Sequence, residues 1–241
     1  MADYLYSPYE KTIWDTLMAF YNNPYAVAGM MGWMVGESGL YPYRCENDFT
    51  SGYKVSINIT KKVNNYGNNP LGREGFGGYT VSGANGDNTA YRNMWYVNGT
   101  RYGPGYGLAQ WTSTSPSNNR KGHLWDYWQQ MYPDKSIANA QWQSTFIYYD
   151  MSLRYKTCLD KLLSATSIRQ AMWDWGYYYE GGGSRTSSIV SNRINWGNKL
   201  YEKYTGSAPS PPYEGGDDGD GDFDPIHPQY KRMPLWMMIE Y

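Results

Sequence analysis

Hydrophobic residues recur at helical spacing through the N-terminal part of the chain. Ser7 and Pro8 are residue types that favour a helix start, and the pattern predicts a first helix ending near Tyr21. Asn23 and Pro24 predict the start of a second helix. Its apolar residues follow the spacing of one buried stripe: Val27, Met30, Met31, Met34 and Val35. We therefore expect the second helix to belong to the core.

Glu37 lies near the predicted end of that second helix. At about 100° per residue it falls beside Met30 and Trp33, on the edge of the apolar stripe. Gly39 is expected to end the helix, and Pro42 to prevent its continuation. The Glu37 carboxylate is therefore predicted to lie where the core meets a cleft.

The helical pattern stops in the next part of the chain and returns later. Residues 43–101 are rich in Gly, Asn, Tyr and Thr, and short strand-like pieces with turn signals predict a small, irregular β-region there. Four further helical stretches are predicted at 121–131, 137–165, 168–179 and 186–204. The expected fold class is mainly α (α+β), a helical body with an inserted β-lobe.

Composition changes abruptly near the C-terminus. Residues 206–222 are rich in Gly, Pro and Asp and predict a flexible linker, because such a segment cannot bury an apolar surface. Residues 1–205 are then one main domain, and residues 223–241 form a short docking segment or the start of a further module.

Charge and composition exclude several kinds of partner and cofactor. The net charge is −1 with 18% charged residues, so nothing favours binding to nucleic acid. No apolar run is long enough to span a membrane, and no secretory signal is visible. With only two His and no Cys/His cluster, neither a metal site nor a cofactor is expected. Cys45 and Cys158 could form one disulfide, but the lack of a visible secretory signal favours free thiols.

Two short motifs carry the candidate chemistry: GESGLYP at 36–42 and GYGLAQWT at 105–112. Cleavage of a glycosidic bond needs a carboxylic acid that keeps its proton near neutral pH, and an apolar neighbourhood favours the protonated form. Glu37, beside Met30 and Trp33, has such a neighbourhood, although by itself it also fits an ordinary exposed glutamate. The 27 Tyr and 11 Trp could stack on sugars or fill the core.

The two motifs together resemble the phage tail lysozyme family, whose members include cell-wall-degrading lysins at the tail tips of small tailed phages. The resemblance covers residues 24–204, with a weaker third match at Tyr179-Glu180. It implies a lysozyme-like fold, a peptidoglycan substrate, and a place in the virion tail among other tail proteins.

The resemblance also implies roles for individual residues. Glu37 would be the general acid, and Gln110 would bind an N-acetyl sugar or the attacking water. Tyr179 would orient Glu37. The remaining implied substrate-site residues hold the motif turn or form a strand along the cleft floor: Ser38, Gly105, Tyr106, Gly107 and Trp111.

The second catalytic group is the main departure from the lysozyme-like pattern. Residues 99–104, just ahead of the second motif, contain no acid, which leaves Asp87 and Asp48 as candidates. With Glu37 alone, the reaction could invert through a positioned water, use the substrate's N-acetyl group, or proceed as a lytic transglycosylase. The sequence thus predicts a tail-associated peptidoglycan hydrolase; the alternatives are a catalytically silent wall-binding or structural tail protein, and an endolysin acting at host lysis.

Overall fold

The computed structural model of the chain describes residues 4–44, 95–97, 100–102, 105–115, 118–132 and 137–209. In this part of the chain the fold is mainly helical. Its seven α-helices are α1 (Glu10–Tyr21), α2 (Pro24–Ser38), α3 (Arg120–Met131), α4 (Ala140–Arg154), α5 (Lys156–Leu163), α6 (Ile168–Asp174) and α7 (Thr186–Thr205).

Two short antiparallel strand pairs accompany the helices. Strand β1 (Trp95–Val97) pairs with β2 (Thr100–Tyr102), and β3 (Ser113–Ser115) pairs with β4 (Asn118–Asn119) through an irregular register. Most of the β-region predicted over residues 43–101 lies outside the described residues, so the β-lobe stays a prediction. The predicted linker and C-terminal segment also lie outside them.

The start of α1 differs from the predicted capping pattern. The helix begins at Glu10 rather than at Pro8, and the Ser7 hydroxyl donates to the Leu40 carbonyl at 2.9 Å. The fully buried Glu10 carboxylate accepts hydrogen bonds from the backbone N–H groups of Leu5 and Tyr6, both at 2.9 Å, and pairs with Lys203 at 2.6 Å. Glu10 therefore ties the N-terminal segment to the end of α7.

Helix α2 begins and ends where the sequence predicts. The Asn23 side chain accepts hydrogen bonds from the backbone N–H groups of Tyr25 and Ala26, and Gly39 ends the helix with φ +64°. The expectation of a single buried stripe is too narrow, because α2 is buried on every side from Ala26 to Met34. It packs against α1, α6 and α7 and forms the centre of the core.

Glycines allow α2 and its neighbours to approach closely. A Cβ atom on Gly32 would lie 2.7 Å from the backbone nitrogen of Gly197 in α7. One on Gly29 would lie 2.8 Å from the backbone nitrogen of Met172 in α6. Backbone atoms thus meet backbone atoms at both crossings, which leaves no room for a side chain.

Two of the predicted C-terminal helices are interrupted. The stretch 137–165 is two helices, α4 and α5, separated at Tyr155 with φ −129° and ψ 45°. The stretch 168–179 is α6 followed by a π-helical turn over Trp175–Tyr179, in which the Glu180 N–H bonds the Trp175 carbonyl at 3.0 Å. This turn packs Gly176 directly against the Trp33 ring of α2.

Cys158 is a buried free thiol, and Cys45 lies outside the described residues. The Cys158 thiol donates to the Asp174 carbonyl oxygen at 3.6 Å. Burial raises the pKa of this thiol far above its usual range.

Asp174 is a buried carboxylate that should make stability depend on pH. Burial raises the pKa of Asp174 from 3.8 to about 6, although Lys161 at 3.8 Å opposes the shift. The folded protein then holds a proton that the unfolded chain releases, so stability should fall as pH rises from about 4 through about 6. We expect Asp174→Asn to leave the free energy of unfolding nearly unchanged at pH 4 and to raise it at pH 8, by roughly 3 kcal/mol at most. Denaturant unfolding at both pH values measures the difference, and an equal effect at both would contradict the prediction.

Candidate active site

The last turn of α2 places Glu37 at the border of the core, with 27% of its side chain exposed. Its Oε1 accepts a hydrogen bond of 2.6 Å from Nη1 of Arg193 on α7. The same nitrogen donates to the Trp33 carbonyl at 3.1 Å, and the guanidinium lies over the Trp33 ring at 4.8 Å. Arg193 therefore fixes the carboxylate against a wall formed by α2 and α7.

The turn after Glu37 is held by Ser38. Its hydroxyl donates to the Leu108 carbonyl at 2.8 Å and accepts from the Leu40 N–H at 3.2 Å. The Arg44 guanidinium donates to the Ser38 carbonyl at 3.0 Å. Ser38, which is fully buried, thus joins the first motif to the second.

The second motif is a tight turn rather than the predicted strand. Tyr106 and Trp111 exchange two backbone hydrogen bonds, at 3.1 and 2.9 Å, as an isolated antiparallel bridge. Gly107 has φ +78° and Gln110 φ +48°, because the chain must reverse direction within a few residues. The Gln110 amide donates to the carbonyls of Gly107 and Arg44 at 2.9 and 3.0 Å, so it fastens the turn to the segment that follows Glu37.

Gln143 on α4 supports both motifs, a role that the sequence did not predict. Its Oε1 accepts from the Leu108 N–H at 2.9 Å, and its Nε2 donates to the carbonyls of Pro42 at 2.6 Å and Ile137 at 2.9 Å. A Cβ on Gly107 would lie 2.6 Å from that Oε1, which explains the glycine. A buried glutamine inside a helical pattern carries no sequence signal for this role.

Tyr179 lies in a buried network behind the second motif. Its hydroxyl accepts from Trp111 Nε1 at 2.9 Å and donates to Asp150 Oδ2 at 3.2 Å. Asp150 also pairs with Arg154 at 2.9 Å. The Tyr106, Trp111 and Tyr179 rings are buried, and the hydroxyl of Tyr179 binds Trp111 and Asp150 rather than Glu37.

Glu180 is a second carboxylate near Glu37. It pairs with Arg120 at 3.4 Å, with 10% and 9% of the two side chains exposed, and the Arg120 guanidinium lies over the Tyr179 ring at 4.2 Å. Desolvation raises the pKa of Glu180 to about 7 against the opposing charge of Arg120; Glu37 raises that pKa further, and Arg193 lowers it. In the sequence Glu180 stands out only as part of a Tyr-Glu pair, because no sequence pattern shows the burial of a loop carboxylate.

The other two acids proposed from the sequence, Asp48 and Asp87, lie outside the described residues. Within the ranges that the structure describes, no group of three or more His, Cys, Asp or Glu side chains could hold a metal ion. None of the helices described here is long and apolar enough to cross a membrane.

The sequence model of the phage tail lysozyme family matches residues 9–204. The chain belongs to the phage tail lysozyme family. The match spans all seven helices up to the last residues of α7 and includes Glu37, the second motif and Glu180. No curated protein and no solved structure matches the chain. Family membership makes the protein a phage-associated, lysozyme-like cell-wall hydrolase with peptidoglycan as its substrate.

Gly36 gives a way to test the arrangement of Glu37 and Arg193 in this family member. A Cβ on Gly36 would collide with the Arg193 guanidinium, which is flexible and can move, whereas the helix itself gains about 1 kcal/mol from alanine. We expect Gly36→Ala to lower peptidoglycan cleavage by about 10- to 100-fold, because the carboxylate loses its fixed position, with a melting temperature no lower than that of the wild-type protein. Ser191→Ala, an exposed change on α7, is the control. Full activity of Gly36→Ala would show that Arg193 does not position Glu37.

Proposed function

We propose that this protein cleaves the glycan strand of host peptidoglycan by general acid catalysis from Glu37. The observation that carries the proposal is the position of Glu37 at the border of the core, held by Arg193 and joined through Ser38 to the second motif. A partly exposed carboxylate on a turn that is held by hydrogen bonds can approach a bound sugar without losing its orientation. Residues 1–205 act as the cleaving domain.

Glu37 donates a proton to the glycosidic oxygen as the bond to the sugar carbon breaks. Arg193, whose Nη1 lies 2.6 Å from Oε1 of Glu37, keeps the carboxyl group oriented for this transfer. The developing positive charge on the sugar is stabilised by a second carboxylate, for which Asp48 and Asp87 are the candidates from the sequence. If neither residue is the second carboxylate, the reaction is completed by a positioned water, by the substrate's N-acetyl group or by a transglycosylase route.

The residues of the second motif divide into contact and support roles. Gln110 is partly exposed and lies on the turn next to Arg44, so it binds the N-acetyl sugar or the attacking water. The remaining residues proposed for the substrate site are buried and act by holding that turn in place: Ser38, Tyr106, Gly107, Trp111 and Tyr179.

Fragment identification tests the reaction type. Purified peptidoglycan is digested with the protein, and the soluble products are analysed by mass spectrometry. Muropeptides with reducing ends indicate hydrolysis, whereas anhydro-sugars indicate a lytic transglycosylase. Intact glycan strands after prolonged digestion by the folded protein would overturn the proposal and favour a wall-binding or structural role.

The proposed place of action is the phage tail, where the enzyme would open the wall for genome entry together with other tail proteins. The family match supports this delivery route. Immunodetection of the protein in purified virions tests it. Presence only in lysates, and not in particles, would contradict the tail role and favour an endolysin.

A further inference from the structure

We propose that three aromatic side chains on α6 and the π-helical turn bind the glycan strand of peptidoglycan at a second place, apart from Glu37. Trp173, Tyr177 and Tyr178 make up this aromatic platform. The inference rests on peptidoglycan as the substrate and on the proposed site at Glu37. It adds a further contact with the same polymer.

The three rings of the aromatic platform hold one another in place. Trp173 and Tyr177 are stacked, with ring centroids 4.6 Å apart and planes inclined by 10°. The Tyr178 ring stands edge-on to both, at 4.9 Å from Tyr177 and 6.1 Å from Trp173. Nζ of Lys161 lies over the Tyr178 ring, 5.3 Å from its centroid. The orientation of each ring is therefore set before a ligand binds.

The aromatic platform is open to solvent at Tyr177. This residue is 44% exposed, whereas Trp173 and Tyr178 are partly buried and pack against the core. A single exposed apolar residue is ordinary on a protein surface. Tyr177 differs because its ring is stacked on a tryptophan that the core holds. It presents a flat, apolar and rigid face to the solvent.

The π-helical turn brings the tyrosines to the surface beside Trp173. Three of its five residues are buried: Trp175, Gly176 and Tyr179. The other two, Tyr177 and Tyr178, reach the surface. Trp173 lies four residues before Tyr177, so the two side chains share one face of the helix. Single π-helical turns are rare and are frequent at functional sites, which favours a binding role for this surface.

The chemistry of a glycan strand matches a flat aromatic surface. An N-acetylated sugar ring has a face of C–H groups and an edge of hydroxyl and amide groups. The C–H face can lie on the Tyr177 ring while the polar edge stays in water. The aromatic platform therefore fits the sugar part of peptidoglycan.

The aromatic platform is joined to the candidate active site through Trp33. Gly176, next to Tyr177 in the chain, packs directly against the Trp33 ring. The Arg193 guanidinium lies over the same ring at 4.8 Å, and Arg193 holds Glu37. Peptidoglycan is a long polymer, so a strand bound near Glu37 continues beyond it. A second contact with that strand raises its overall affinity without any new contact at Glu37.

Tyr177→Leu tests the aromatic platform, because leucine keeps an apolar side chain against Trp173 but has no flat ring. The variant and its parent both carry Glu37→Gln and are kept on ice, so that cell walls stay intact. Co-sedimentation with purified walls gives the dissociation constant. We expect Tyr177→Leu to bind about 3- to 10-fold more weakly than the parent, as the loss of one ring contact predicts. Tyr177→Phe keeps the ring and should bind as the parent does.

Tyr4→Leu is the matched control, because Tyr4 is a tyrosine of equal exposure, 45%, outside the aromatic platform. We expect it to bind as the parent does. Tyr177→Ala is a second variant, in which a strong helix former replaces the ring, and it should show a loss like that of Tyr177→Leu. Thermal unfolding checks that each variant is folded. Binding by Tyr177→Leu equal to that of the parent, or an equal loss in Tyr4→Leu, would overturn the proposal. So would an equal loss in Tyr177→Phe.

Peptide-free glycan strands identify the part of the wall that is bound. They are prepared by removing the peptide stems with an amidase and are titrated into the same proteins by calorimetry. We expect the same loss of affinity in Tyr177→Leu. Unchanged binding of these strands, with weaker binding of whole walls, would overturn the glycan as the ligand.

The result is separable from that of the proposed function. In the protein that keeps Glu37, Tyr177→Leu should raise KM for cell walls and leave kcat unchanged. Full binding by Tyr177→Leu together with an inactive Glu37→Gln removes only the aromatic platform. Cleavage by Glu37→Gln together with weaker binding by Tyr177→Leu removes only the acid role of Glu37.

Discussion

Glu37→Gln should abolish cleavage of peptidoglycan, with an initial rate at least 100-fold below that of the wild-type protein, because a general acid contributes about 10²- to 10⁴-fold. The amide keeps the size of the side chain and can still accept the hydrogen bond that Arg193 donates to Oε1 of Glu37 at 2.6 Å in the wild-type protein. It has no proton of suitable acidity to donate to the leaving oxygen. The initial loss of turbidity of purified cell walls measures the rate.

The controls for this prediction separate chemistry from folding. Unchanged melting of Glu37→Gln shows that the turn held by Ser38 is intact, and Glu202→Gln controls for the loss of a surface carboxylate on the helix that carries Arg193. We expect Glu37→Gln and Glu202→Gln to melt at the same temperature as the wild-type protein. A Glu37→Gln protein with at least a tenth of wild-type activity would rule out Glu37 as the acid.

Gly32→Ala should destabilise the fold more than the other substitutions considered. The added methyl would lie 2.7 Å from the Gly197 nitrogen and 2.8 Å from its Cα, and these backbone atoms cannot rotate away. Overpacking of this kind costs about 3 kcal/mol, so the melting temperature should fall by roughly 6–12 °C for a chain of this size.

A matched control for this change exists on the same helix. Gly36→Ala adds the same methyl to α2 and gains the same helix propensity, but the three atoms nearest to the new methyl all belong to the Arg193 side chain. Thermal unfolding of both variants by circular dichroism therefore isolates the backbone contact. Equal melting temperatures for the two variants would contradict the close crossing of α2 and α7.

The helical body could be predicted from the sequence because its signals are local. Asn23 and Gly39 bound α2 as expected, and the helices over Arg120–Met131 and Thr186–Thr205 agree with the predicted stretches within a residue. The break at Tyr155 and the π-helical turn after Asp174 carry no local signal. The π-helical turn packs Gly176 against Trp33, a contact between residues distant in sequence.

The candidate site was predicted only in part, because some of its residues act through contacts with residues distant in sequence. Glu37 stood out because an acid at the end of an apolar helix is unusual, and the second motif stood out through its glycines. The sequence did not single out Arg193, Arg120 or Gln143, because a charged or amide side chain on an amphipathic helix is ordinary until its partner is known. Their roles depend on tertiary contacts that bring α3, α4 and α7 to the two motifs.

Catalysis by Glu37 is tested by following wall binding and glycan release in the same suspension of purified cell walls, with wild-type protein and with Glu37→Gln. Co-sedimentation gives the bound fraction, and the supernatant gives the released glycan fragments. We predict equal binding of the two proteins and release by the wild type alone. Release by Glu37→Gln at the wild-type rate would contradict catalysis by Glu37.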